Sequence, residues 1–125
     1  MKAMNIIQES NKCVKCGLCL PYCPTFMLTK NENESPRGRI ALMHGLASGH
    51  LQPTKAVITA LDHCLQCGRC EAVCPAGVNY STLHRETRHA LYRSPWYARL
   101  QAYLSWACKY MKKHGLNIRI LKKLW

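Results

Sequence analysis

Eight of the nine cysteines in this 125-residue chain fall into two runs, CVKCGLCLPYCP from Cys13 to Pro24 and CLQCGRCEAVCP from Cys64 to Pro75. Each run spaces four thiols by two, two and three residues and closes on a proline. Thiolates are metal ligands, so the question is which metal this spacing suits. Zinc sites use two separated pairs, each filling two corners of a tetrahedron. Here three cysteines crowd one tight loop and a fourth follows four positions later. Three such thiolates suit one face of a cubic cluster, whose irons each take one outside ligand. The run C-x2-C-x2-C-x3-C-P is the signature of bacterial-type [4Fe–4S] ligation, in which the last cysteine serves the other cluster. Zinc stays open as the alternative.

The pattern is used twice, with Cys13 and Cys64 lying 51 positions apart, and the two blocks agree at four cysteines, one glycine and one proline. Crossed ligation then predicts two [4Fe–4S] clusters. The first takes Cys13, Cys16, Cys19 and Cys74; the second takes Cys64, Cys67, Cys70 and Cys23. Crossing staples one loop to the other, so a cluster-free chain is expected to be unfolded or molten. Gly17 and Gly68 allow the backbone to approach a cluster in conformations other residues resist. Pro24 and Pro75 turn the chain away after the last ligand. Val14, Leu18, Leu20, Tyr22, Leu65 and Val73 are expected to form a dry collar or to fill core.

Two such clusters accept the two electrons a reduced flavin releases, one at a time. No nucleophile–base–orienter set is recognisable, so no catalytic residue is expected. The elements that hold the loops read as helices. Ser35 and Pro36 resemble an N-cap followed by proline at the first helical position. Ile40, Leu42, Met43, Leu46 and Ala47 recur at helical spacing, with Gly49 as the stop. A second short helix from near Pro53 carries Val57, Ala60 and Leu61 toward the second loop. No strand-forming run occurs. The expected fold is mainly α: an α-helical ferredoxin with two [4Fe–4S] cluster-binding loops over residues 1–93, then a basic amphipathic helical extension over 94–125.

The N-terminal MKAMNIIQESNK has no apolar run long enough for a secretory leader, and no stretch reaches the ~18 apolar residues of a membrane span. The expectation is a cytoplasmic chain with reduced thiols, and nine cysteines fit a disulfide framework poorly.

CVKCGLCLPYCPTF, SPRGRIALMHGLASG and LDHCLQCGRCEAVCPAGVNYSTL together resemble the N-terminal region of the glycolate oxidase iron–sulfur subunit family. The chain is also similar to relatives in lactate utilisation and anaerobic glycerol-3-phosphate dehydrogenase. The cysteine runs alone indicate only a dicluster ferredoxin; the SPRGRI segment narrows the choice. The resemblance is clearest over residues 10–95. It implies an electron-transfer subunit that takes electrons from a flavoprotein (FAD) dehydrogenase oxidising a 2-hydroxy acid and passes them to a downstream acceptor. Arg37 and Arg39 match the family's PRGR positions, either anchoring their helix near anionic clusters or facing water. Family members continue into two cysteine-rich domains with CCG motifs, which do not follow here. The pattern therefore implies a shortened chain or a separate CCG-domain subunit.

The charge is lopsided. Net charge is +12; residues 1–81 hold eight Lys/Arg against five Asp/Glu, residues 82–125 ten against one. Eight thiolates and two cores lower the total to about +8. Ser81 is expected to cap a helix through about Arg93, and Ser94-Pro95 to start another toward Gly115. On that second helix Trp96, Leu100, Tyr103, Leu104, Ala107 and Met111 share an apolar arc opposite Gln101, Ser105, Lys109, Lys112 and Lys113. Its default reading is a helix on its own domain with a solvated basic face. The alternatives are docking on a partner subunit, with Trp106 the foremost contact, or peripheral contact with an anionic membrane at the inner face of the cell membrane. Cys108 reads as a small hydrophobe, and His63 as a surface residue or an electrostatic neighbour of Cys64. No nucleic-acid recognition motif accompanies the charge. The rival functions are a generic ferredoxin-type subunit of another dehydrogenase or heterodisulfide reductase-like complex, and a structural or sensory iron–sulfur binding module.

Overall fold

The computed structural model describes residues 3–93 and 102–110 of the chain. These divide into two units, Met1–Ala90 and Leu91–Trp125. In chain order the elements are α1 (Ala3–Asn11), a 3-10 turn at Leu20–Tyr22, α2 (Pro24–Thr29), a second 3-10 turn at Glu32–Glu34, α3 (Pro36–Ala47), α4 (Lys55–Asp62), the single turn α5 (Arg69–Ala72) and α6 (Tyr80–Arg93), whose last three residues fall in the second unit. No strand occurs among the described residues, and the fold is mainly helical as expected.

Local chemistry fixes the helix starts. Ser35 accepts a hydrogen bond from the Gly38 amide at 2.9 Å, and Pro36 occupies the first helical position, where its missing N–H costs nothing. Past Ala47, Gly49 turns the chain at φ +76°, a conformation glycine adopts without steric cost. Thr54 caps α4 through the Val57 amide. The cap of α6 differs from expectation. Asn79 Oδ1 accepts from the Thr82 amide at 3.0 Å, and Ser81 lies one residue inside the helix. The Ser81 hydroxyl and amide instead both donate to Glu71 Oε2, at 2.7 and 2.9 Å, tying α6 to the second cysteine run.

The core lies under the cysteine loops. Ile6 of α1, Ile40 and Met43 of α3, Val57, Ala60 and Leu61 of α4, and Val78 and Leu83 are all buried. Each large aliphatic side chain so covered contributes roughly 1.5–3 kcal/mol. Helix α1 packs on α3, and Glu9 accepts the Asn79 amide at 2.7 Å, joining the first helix to the start of the last.

In the second unit residues 102–110 are helical. Leu104, Ala107 and Cys108 are partly covered while Ser105 and Lys109 face water, in line with the expected arc. Tyr103 departs from it and is exposed. Trp106, 59% exposed, stacks on Tyr110 with ring centroids 5.5 Å apart. The expected helix start at Ser94-Pro95, the arc positions Trp96, Leu100, Gln101, Met111, Lys112 and Lys113, and the remaining basic tail lie outside the described residues. No helix among the described residues is long and apolar enough to cross a membrane.

Candidate metal centre

The two cysteine runs share a backbone trace as well as a spacing. Lys15 and Gln66, at the same place in each run, adopt left-handed φ of +57° and +52°; Gly17 and Gly68 follow at +82° and +73°. A non-glycine residue in that region costs roughly 1–2 kcal/mol, so the loops hold strain that a bound group can offset. Left-handed residues set between right-handed or extended ones turn backbone amides toward a common concavity. One of them is visible directly: the Gln66 amide donates to Cys64 Sγ at 3.4 Å.

The thiols ring two cavities. Cys13, Cys16, Cys19 and Cys74 line the first; Cys23, Cys64, Cys67 and Cys70 line the second, and Cys70 reaches the first as well. Each cavity thus gathers three thiols of one loop and the fourth of the other. Pro36, Cys70 and Tyr80 line both, so the two cavities share a wall. Among the described residues no three Cys, His, Asp or Glu side chains converge on a single-ion site. A multi-iron cube takes one sulfur at each of its irons around a shared volume, whereas a tetrahedral ion takes all four at one point.

Burial changes the thiols. Cys19 is pushed above its ordinary value, first by burial. Burial, with Cys64, Cys19 and Cys23 beside it, takes Cys70 up to about 12. In the metal-free chain these groups carry their protons at neutrality, and a metal must displace them. Tyr80, buried next to Cys64, is pushed upward as well, and its hydroxyl donates to Cys64 Sγ at 3.5 Å. His84 stacks on the Tyr80 ring and meets the Leu61 carbonyl at 2.9 Å; burial holds its pKa below the ordinary value, in favour of the neutral ring.

The SPRGR segment explains itself at this point. Ser35 caps α3, Pro36 forms part of the shared wall, Arg37 borders the first cavity and Arg39 the second. Gly38 lies so close to the Glu32 carbonyl that a Cβ there would collide with it. Arg37 is bound to Glu32 through Nε at 2.5 Å and Nη2 at 3.4 Å, and also donates to the Lys15 carbonyl at 3.3 Å. Arg39 does not face water: it is 1% exposed. Its Nε donates to the Ala60 carbonyl at 2.6 Å and its Nη1 to Thr25 Oγ1 at 3.0 Å, with Cys23 Sγ at 3.9 Å. Its buried Nη2 has no partner among the described residues. Two rings of soft thiols beside a buried cation suit an anionic thiolate-ligated iron–sulfur group.

The dry collar is the expectation that fails. Val14, Leu18 and Leu65 are 70%, 56% and 67% exposed, and Tyr22 also faces water; only Leu20 and Val73 are partly covered. Val14 borders the first cavity and Leu65 the second, but each remains mostly exposed, so the collar is not dry. His63 is exposed and paired with Glu34 at 3.0 Å. Cys108 is partly covered within the helical residues 102–110. Tyr80 borders both cavities, backed by His84, without any motif to mark either; the short spacing of Tyr80 from the second run is the one signal that points to them.

A family model described as the 4Fe–4S dicluster domain matches residues 9–78. The chain is 39% identical over 116 residues to the probable glycolate oxidase iron–sulfur subunit of Bacillus subtilis, covering 92% of this chain and 22% of that protein. It is 44% identical over 71 residues to the glycolate oxidase iron–sulfur subunit of Escherichia coli, covering 57% of this chain and 17% of that one. A 27% identity over 97 residues relates it to a subunit of the dihydromethanophenazine:CoB–CoM heterodisulfide reductase of Methanosarcina acetivorans, covering 66% of this chain and 24% of the relative. The chain therefore spans about a fifth of the length of the curated relatives it matches. No solved structure matches it.

Proposed function

This chain belongs to the 4Fe–4S dicluster domain family, and on that footing we propose that it relays electrons, through two [4Fe–4S] clusters, from a flavoprotein dehydrogenase to a downstream acceptor. Cys13, Cys16, Cys19 and Cys74 hold the first cluster; Cys64, Cys67, Cys70 and Cys23 hold the second. One observation carries the reading: the second cavity is lined by three thiols of its own loop and by Cys23 of the other, and the first by three of its own and by Cys74, with Cys70 on the shared wall. When bound, clusters of this kind exchange single electrons without rearranging the protein.

The chain's own residues do the rest. Pro36 and Tyr80 fill the wall between the cavities and keep water out of it. Cys16 and Cys67 reach the surface, flanked by the exposed Val14, Leu18 and Leu65, so each site has an edge a partner can approach. Residues 1–93 form the dicluster domain and 94–125 a basic extension, with Trp106 a candidate partner contact. A flavin subunit acting on glycolate or another 2-hydroxy acid is the partner that similarity to the glycolate oxidase subunits supports. A separate CCG-domain subunit and an anionic membrane surface are the further contacts of the same reading. The resemblance to the heterodisulfide reductase protein favours a second one, a ferredoxin-type subunit of such a complex.

Anaerobic purification from the native host, followed by identification of what co-elutes, separates these. A flavoprotein that reduces the chain on addition of a 2-hydroxy acid is the expected result. Co-elution with heterodisulfide reductase subunits, or a chain that no flavin donor reduces, would replace it.

A further inference from the structure

A buried guanidinium without a carboxylate is costly, because it forfeits water and gains no opposite charge. Arg39 is in that position. It is 1% exposed and takes part in none of the ion pairs among the described residues. Its three nitrogens differ in what they meet. Nε is satisfied by the Ala60 carbonyl, and Nη1 lies between Thr25 Oγ1 and Cys23 Sγ. Nη2 is buried and unpartnered. The side chain borders the second cavity. Thr25 in turn donates to the Glu34 carbonyl, so the group beside the guanidinium is itself held in place.

The first cavity has a different neighbour. Arg37 borders it, but that cation is already matched by Glu32 at 2.5 Å and is a third exposed. A paired, partly hydrated charge projects little field; a bare buried one projects much more. Backbone donors reach sulfur at both cavities, the Gln66 amide at Cys64 and the Arg37 amide at Cys19, and the second adds Tyr80 Oη at Cys64. Positive charge and donors at sulfur both favour the more reduced, more negative state of an iron–sulfur group.

We propose that Arg39 is the counter-charge of the second cavity, and that it makes the centre held by Cys23, Cys64, Cys67 and Cys70 the stronger electron acceptor of the pair. The inference rests on the two-centre reading above. It also gives the cost of burying Arg39 a purpose: the side chain is compensated only when the anionic centre is present.

The test is a redox titration of the anaerobically purified, cluster-loaded chain with dithionite, each centre followed by electron paramagnetic resonance. Cys67→Ser and Cys16→Ser mark which signal belongs to the second and the first cavity. The centre marked by Cys67 should be reduced first in the wild type. Arg39→Met should lower its electron affinity at least tenfold, about 59 mV for one electron, or remove that centre alone from the iron count. Arg37→Gln should shift the first centre by less. An unchanged second centre in Arg39→Met, equal shifts at both, a larger effect from Arg37→Gln, or prior reduction of the first centre in the wild type would each overturn the proposal. If Arg39→Met loads neither centre, Arg39→Lys decides. It keeps the charge without the fork, so persistence of the reduction order supports the proposal and loss of that order overturns it. A wild-type chain with a single centre fails the two-centre reading itself, which the iron count reveals separately, and this proposal falls with it.

Discussion

Replacing Gly38 by alanine sets two physical effects against each other. Gly38 sits in the first turn of α3, and intrinsic propensity alone predicts that Gly38→Ala stabilises the helix by up to about 1 kcal/mol. Its added Cβ, however, would collide with the backbone carbonyl of Glu32, and a backbone neighbour cannot swing aside as a side chain can. The 3-10 turn Glu32–Glu34 must then move away from α3. That turn supplies the Glu34 carbonyl that accepts from Thr25 Oγ1 at 3.2 Å, and the Glu32 carboxylate that holds both Ser35 and Arg37. Overpacking of this kind costs about 3 kcal/mol at the upper end of its usual range. The net expectation is a loss of about 2 kcal/mol. If the strain is relieved in the unfolding transition state, unfolding accelerates roughly 30-fold. Anaerobic stopped-flow unfolding of the cluster-loaded chain in guanidinium, followed by far-ultraviolet circular dichroism, measures this. A Gly38→Ala chain that unfolds at the wild-type rate or more slowly would refute the close-approach argument and leave only propensity.

Three further outcomes follow from particular groups. The Ser81 hydroxyl and amide hold the Glu71 carboxyl below its ordinary 4.5, so the charged form stabilises the fold above that pH and the contribution is lost as pH falls through the lowered value. Thermal unfolding should therefore find Glu71→Gln less stable than wild type at neutral pH, with the gap closing below about pH 4.5; a gap independent of pH contradicts the assignment. Because burial takes Cys70 from 9.0 up to about 12, protons compete with metal at neutrality, and iron uptake by the metal-free chain at fixed iron should rise between about pH 7 and pH 9; a flat profile would show that the thiols are already ionised. Cys108→Ser should bind as much iron as wild type, whereas Cys67→Ser should bind less. Equal losses in the two variants would make Cys108 a ligand.

The parts of this fold that are legible in the sequence are those set by local chemistry. Ser35 and Pro36 announce a helix start, Gly49 a stop, and the apolar spacing of Val57, Ala60 and Leu61 a buried face; all of these appear where expected. Ser81 misleads because two polar residues, Asn79 and Ser81, compete for one cap, and the tertiary pull of Glu71 on Ser81 decides between them. That the two runs form thiol-lined cavities is legible from their spacing. The side chains around them are not. Val14, Leu18 and Leu65 are apolar and adjacent to cysteines, which in sequence looks like a buried lining; Val14 and Leu65 do border the cavities, yet all three are exposed. Arg39 carries the opposite lesson. An arginine two positions from another in a helix start gives no local sign of which one is buried. Only the packing of α3 against α4, which brings the Ala60 carbonyl to its Nε, distinguishes it from Arg37. The positive φ of Lys15 and Gln66 is equally silent, since neither residue type advertises it.

The most direct test is to count metal and electrons together in the anaerobically isolated chain. The account predicts roughly eight irons and eight acid-labile sulfides per chain and two one-electron centres by quantitative spin counting during reductive titration. Bound zinc, or about four irons with a single paramagnetic centre, would contradict it.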